Sequence, residues 1–308
     1  MQWQFECCGG PSGSLFVFQG EDLKTQYRSI GRQRGFSIVE IMVSLVIGMV
    51  VVAAVLFTYL GTGTAGRSQT ALSQMNEDVM VAFSLLARDL QMAGYSEPNG
   101  IVATGGGGTA TFGRLFTGRA VFGCETPPVD PKATPGIACS VAGGTVTHIV
   151  EINYQATPVN SVQSGGTPTD CIGNPLTISG TYYVSSNRYY VTPTVATGRP
   201  ELHCTSAGKP PQPLVENVQA MKLWFGEADA ADPRRAVRYV PSSVVADWGR
   251  VNSVRICLLM RGAEPVLDSD DPVSAAYTDC EGNVVTPTDR RIYRAFFSTV
   301  ALRNRIGF

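Results

Sequence analysis

The chain has 308 residues, 44% of them hydrophobic and 16% charged, a balance that excludes a disordered or fibrous protein and suits one anchored chain with a single sizeable head. Lysine and arginine number 24 against 25 aspartates and glutamates, so no basic excess exists to hold nucleic acid over the whole surface.

In chain order, the first feature is a basic, polar leader carrying Lys24, Arg28, Arg32 and Arg34 and ending at Gly35. Residues 1–22 add nothing such a leader requires, and no methionine lies between Met1 and Met42, so translation is expected to begin near Leu23 from a non-Met codon. Cys7 and Cys8 lack a preceding apolar segment and are not read as a lipoprotein site. From Phe36 to Leu60 the chain is apolar except for Glu40 and a few small polar residues. As a helix this stretch is about 37 Å long, enough to cross a bilayer core. Glu40 lies about 6 Å beyond Phe36 on the same rise. A carboxylate at that depth is costly and calls for a compensating charge. Four cations ahead of the span against the lone Arg67 after it orient the leader inside and the bulk of the chain outside.

Gly61, Gly63 and Gly66 follow, each costing a helix about 1 kcal/mol relative to alanine, so the helix is expected to bend or melt locally there. Leu72, Met75, Val79, Phe83, Leu86, Leu90 and Ala93 then recur every three or four residues and make one apolar stripe. Gly94 and Pro98 end it. The absence of a capping box before this stripe favours one long helix over two. Only about three heptads are available, so the stripe is read as packing on the head's sheet and not as a free coiled coil.

Residues 96–213 read as short strands and long loops. Thr145–Tyr154 and Thr181–Val191 are rich in β-branched and aromatic residues, while Gly105–Gly108, Thr126–Gly136 and Ser164–Pro168 are breakers. Later the alternation is cleaner. Met221, Leu223 and Phe225 oppose Lys222 and Trp224, Val254, Ile256, Leu258 and Met260 alternate with Arg255, Cys257, Leu259 and Arg261, and Ile292–Leu302 is a third strand. The predicted fold is α+β: an antiparallel sheet covered on one face by the second half of the long helix.

Six cysteines follow the leader: Cys124, Cys139, Cys171, Cys204, Cys257 and Cys280. In an exported chain they read as disulfides, with fifteen possible connectivities. Sequential pairing is the expectation, the first two bridges stapling the loop-rich middle and the third closing the connection between the last two strands. A metal site at His203-Cys204 is the rival, without the paired CxxC spacing that would support it. His148 and His203 each stand alone, and no GxSxG, HExxH or P-loop pattern occurs, so no catalysis and no cofactor is expected. Asp268, Asp270 and Asp271, with Asp279 and Glu281, offer oxygen ligands for Ca²⁺ but lack the glycine and closing glutamate of an EF-hand, and are read as a solvated hairpin loop. Arg290, Arg291, Arg294, Arg303 and Arg305 are read as the solvent face of an edge strand in preference to a contact for DNA or a partner.

Gly35-Phe36-Ser37-Ile38-Val39-Glu40 before an apolar helix resembles the start of a type IV prepilin or a type II secretion pseudopilin. The resemblance implies cleavage by a prepilin peptidase between Gly35 and Phe36, methylation of the new Phe36 amine, and Glu40 as the partner of a neighbour's amine. Leu85–Tyr95, with Arg88-Asp89 before Ala93-Gly94-Tyr95, resembles the PilW family of type IV pilus assembly proteins, as do Leu214–Gly226, Trp248–Arg261 and Thr299–Asn304. Residues 96–213 carry no such resemblance. What it implies is a leader at 1–35, a transmembrane and amphipathic helix at 36–95 and a periplasmic head at 96–308. The implied role is that of a minor pilin held in the inner membrane and then built into the pilus. Its implied partners are other minor pilins, the major pilin, the inner-membrane assembly platform and a tip adhesin. The alternatives are a large minor pseudopilin of a secretion system and a membrane-tethered surface-binding module.

Overall fold

A computed structural model of the chain describes residues 35–102, 111–125, 129–139, 141, 143, 144, 146, 148–194, 198–267 and 275–305. The leader up to residue 34 and the acidic run 268–271 lie outside them. One helix, α1 (Ile38–Met92), continues through Gly61, Gly63 and Gly66, and the local melting expected there does not occur. Three glycines at about 1 kcal/mol each cost less than breaking a cooperative hydrogen-bond ladder and nucleating a second helix.

The contacts divide the chain between Phe57 and Thr58. In the first unit the described helix is exposed throughout. In the second, α1 ends at Met92, two residues before Gly94, whose φ of 72° is the left-handed conformation that stops helices. The Gly94 N–H donates to the Asn153 carbonyl at 2.8 Å and the Gln155 N–H donates to the Tyr95 carbonyl at 2.9 Å.

The strands follow: β1 (Pro98–Val102), β2 (Thr111–Arg114), β3 (Val121–Cys124), β4 (Ile149–Ala156), β5 (Gln163–Ser164), β6 (Thr167–Pro168), β7 (Ile178–Ser179) and β8 (Tyr182–Pro193). After these come β9 (Pro200–Thr205), β10 (Gln212–Glu216), β11 (Val218–Ala228), β12 (Ala236–Val240), β13 (Val251–Arg261), β14 (Tyr277–Thr278), β15 (Val284–Val285) and β16 (Tyr293–Ala301). Where the sequence predicts one sheet, the head holds two large antiparallel ones. The first has the order β10-β9-β8-β4-β3 with β7 beside β8, and the second has the order β12-β11-β13-β16. The α+β class expected for the head holds.

Both sheets bury one face in a common core with α1. Met75, Val79, Ala82, Leu86, Leu90 and Ala93 of the helix pack with Val150, Ile152 and Tyr154 of the first sheet and with Met221, Leu223, Phe225, Val254, Ile256 and Leu258 of the second. The second sheet has the register its alternation predicts, Leu223 opposite Ile256 and Phe225 opposite Val254. Behind the first sheet a smaller cluster of Val129, Ile137, Val146, Ile149 and Tyr190 joins Cys124. A buried ion pair fastens the 131–137 loop onto that face. Arg188 meets Glu151 at 2.9 Å and donates to the carbonyls of Pro131, Ala133 and Pro135. Removing either charge would strand the other away from water.

Candidate functional site

Gly35, Phe36 and Ser37 precede the helix, and the Ser37 carbonyl accepts from the N–H groups of Glu40 and Ile41 at 3.0 and 3.2 Å. Ile38–Tyr59 then forms a span of 22 residues with mean hydropathy 2.8, none of it buried. Phe36 is 78% exposed. A Cβ on Gly35 would meet nothing within 4 Å, so the fold itself has no need of glycine there. No ion pair among the described residues involves Glu40. Among the described residues the start of the helix thus presents apolar surface and a carboxylate without an ion pair, and a span of this length and composition is fit to be covered by lipid or by other helices.

The six cysteines stand in three pairs at disulfide distance, Cys124 with Cys139, Cys171 with Cys204 and Cys257 with Cys280, with Cα separations of 5.2, 6.4 and 5.8 Å. His203 does not join Cys204. Successive strand residues face opposite ways, and His203 stacks on Tyr190 at 5.8 Å with its Nε2 3.6 Å from Glu201, while Cys204 lies in the main core. Burial pushes the His203 imidazole below its ordinary value, against the opposing pull of Glu201. Among the described residues no group of three metal-ligating side chains gathers. Asp279 accepts from the N–H groups of Glu281 and Asn283 and shapes the turn between β14 and β15. Arg290 and Arg291 hold the carbonyls of Leu267 and Gly262, and only Arg294 lies on the edge strand β16, over the Phe296 ring. The arginines therefore do not make one patch.

Sequence reasoning quoted Arg88-Asp89 but missed what Asp89 does. It is buried where α1 meets the first sheet, and its Oδ2 accepts from Asn187 Nδ2 and from the Tyr189 hydroxyl, each at 2.6 Å. Asn187 in turn accepts from the Cys171 N–H and the Ser185 hydroxyl, which carries the network to the Cys171–Cys204 pair. Burial raises the Asp89 carboxyl above the ordinary aspartate range, offset in part by these hydrogen bonds and by Arg88. The signal was present: Asp89 falls three residues after Leu86, inside the apolar stripe, where a carboxylate needs buried donors.

Two family models match the chain. That of the Type IV Pilus-assembly protein W family covers residues 181–304, from β8 to the end of the second sheet, and that of the prokaryotic N-terminal methylation motif covers residues 30–56. No curated protein matches. A type IV-like pilin from Thermus thermophilus is a similar solved structure, at 14% identity and a TM-score of 0.34 over 74% of this chain and 97% of its own, values that carry no argument. With the methylation motif on its exposed apolar helix and the PilW match across residues 181–304, the chain is a type IV pilin-like, pilus-associated protein, and the two matches together support a place in the PilW family.

Proposed function

We propose that this chain is a minor pilin, a structural subunit of the complex that initiates or tips a type IV pilus, and that it supports pilus assembly and through it twitching motility and adhesion. The observation that carries the reading is the exposed apolar span Ile38–Tyr59, just after Gly35-Phe36, with no ion pair to Glu40 among the described residues. A filament of packed helices supplies what is missing: neighbouring helices cover the apolar surface, and the amine created at Phe36 of one subunit neutralises Glu40 of the next. In this reading residues 1–35 are the leader, 36–95 the helix and 96–308 the head. The prepilin peptidase cuts on the cytoplasmic side, the helix rests in the inner membrane with the head in the periplasm, and the subunit then joins the major pilin and other minor pilins on the assembly platform.

The head argues for few copies near the tip. Subunits share the lattice set by their N-terminal helices, and a head with two large sheets repeated at every lattice point would meet its neighbours, whereas the end of a lattice is open on its outer side. Mass spectrometry of the purified chain tests the reading directly. The mature protein is expected to begin at methylated Phe36, and Gly35→Ala to retain the leader. A mature chain beginning elsewhere overturns it. Glu40→Ala is expected to insert normally and to be depleted from sheared pili; equal recovery with the unmodified chain removes the role given to Glu40.

A further inference from the structure

The second sheet turns one face to α1; on its other face Cys257 and Leu259 are buried, while around Arg255 that face carries an exposed set of side chains. Trp224 on β11, Arg255 on β13 and Thr299 on β16 lie in register across three strands. Phe297, 49% exposed, stacks with Trp224 at 6.5 Å, and the Arg255 guanidinium sits 5.7 Å from the Trp224 ring and 5.2 Å from the Phe297 ring. On the far side Tyr239, 42% exposed, lies across Gly226 with its hydroxyl 3.2 Å from Ser253 Oγ. A Cβ on Gly226 would run into Ser253 and the Tyr239 ring, so glycine makes the room for that tyrosine to lie flat.

The charges around this platform are mostly matched. Lys222 is held by Glu125 and Glu281, and Arg238 donates to Glu227 at 2.8 Å. Arg255 makes no ion pair among the described residues. Tryptophan, tyrosine, phenylalanine and arginine are the residues enriched at the energetic centres of protein interfaces, which are rimmed by polar groups much as this platform is. A nucleic-acid strand would need several unmatched cations, and here it would find one, beside the carboxylates of Glu125 and Glu281.

We propose that the outer face of the second sheet, centred on Trp224, Arg255 and Phe297, is the surface by which the head docks onto another pilus subunit, one that presents an apolar patch carrying a carboxylate for Arg255. This rests on the reading of the chain as a pilus subunit. The test uses the full chain in cells that make pili, with a photo-crosslinking amino acid at Thr299. The expected result is an adduct with a second protein that itself bears a prepilin-type N-terminus, and a yield at least about tenfold lower when Arg255→Glu is added. An adduct with nucleic acid or lipid, no adduct, or a yield unmoved by Arg255→Glu overturns the proposal.

A second arm separates it from the reading beneath it. Cells lacking the chain are compared with cells carrying Arg255→Glu with Phe297→Ala, fully oxidised cysteines serving as the sign of a folded head, and Arg255→Gln alone standing in if that sign is lost. Few pili in both strains support the docking face. Few pili without the chain but normal numbers with the variant overturn the docking face and leave the pilus role intact, whereas normal numbers in both overturn the pilus role and the docking proposal with it.

Discussion

Ile38–Tyr59 and Met75–Ala93 lie on the same helix and are both rich in apolar residues, yet the first is wholly exposed and the second lines the core of the head. The difference lies in where the apolar residues fall. In the first segment they occupy every face, which suits surroundings that are apolar all round. In the second the buried ones keep to one stripe, with Glu77, Ser84 and Arg88, and also Met80 and Val81, on the exposed side. Helical conformation is common to both, and only the pattern tells which segment is stabilised by its own chain.

Three changes would break this contrast. The largest effect is expected from replacing Cys171 and Cys204 together by serine. Opening a loop of 33 residues costs about 4 kcal/mol in the chain-entropy model, read as a lower urea midpoint for the head with membrane anchoring unchanged. Leu86→Ala, in the fully buried part of the stripe, is expected to cost about 3 kcal/mol in the same measurement. Val50→Arg, in the exposed segment, should leave that midpoint unchanged and instead penalise insertion by about 3 kcal/mol, read as the fraction of chain recovered in membranes. A Val50→Arg variant with a destabilised head would show that the two segments are not independent.

How far these features could be read beforehand depended on the same pattern. The strands β11, β13 and β16 were legible because polar residues interrupt the apolar ones along each, so Met221, Leu223 and Phe225 stand out against Lys222 and Trp224, even though β13 buries all but Arg255 and Arg261. Of the first sheet, β4 and β8 fall largely within the two stretches rich in β-branched and aromatic residues, but their assembly into a second large sheet was not legible, because β8 buries Ser185, Asn187 and Arg188 along with its tyrosines and so lacks a clean alternation. Those polar residues are tolerated because their partners are already in place: Glu151 for Arg188, and Asp89 for Asn187. At the N-terminus the motif from Gly35 to Glu40 was legible in local sequence, where residues 30–56 match the methylation motif, and the roles proposed for these residues rest on that motif alone. Asp89 was not, because its partners Asn187 and Tyr189 lie about a hundred residues away.

The smallest expected effect sharpens the comparison from inside the buried half. Because the folded head raises the Asp89 carboxyl, the native state keeps that proton to higher pH than the unfolded chain does. The contribution is complete below the ordinary aspartate range and is lost as pH rises through the raised value. Asp89→Asn, which still accepts from Asn187 and Tyr189, should remove this part of the pH dependence, so that unfolding midpoints across mildly acid pH fall less steeply than in the unmodified chain. Asp89→Ala would instead leave two buried donors unsatisfied, at about 1–3 kcal/mol each. Equal slopes for Asn and Asp would remove the titration of Asp89 from the account.

The seam where α1 ends also determines how the head bears tension. Gly94 and Tyr95 are stitched to Asn153 and Gln155 of β4, which is an interior strand, in register over four positions with β3 and over eight with β8. A pull transmitted along the helix therefore arrives at a strand held on both flanks, not at an unpaired edge that could peel away one hydrogen bond at a time. Glycine is favoured at the seam for its left-handed turn, so a bulkier residue at position 94 would loosen the attachment of the helix end to β4.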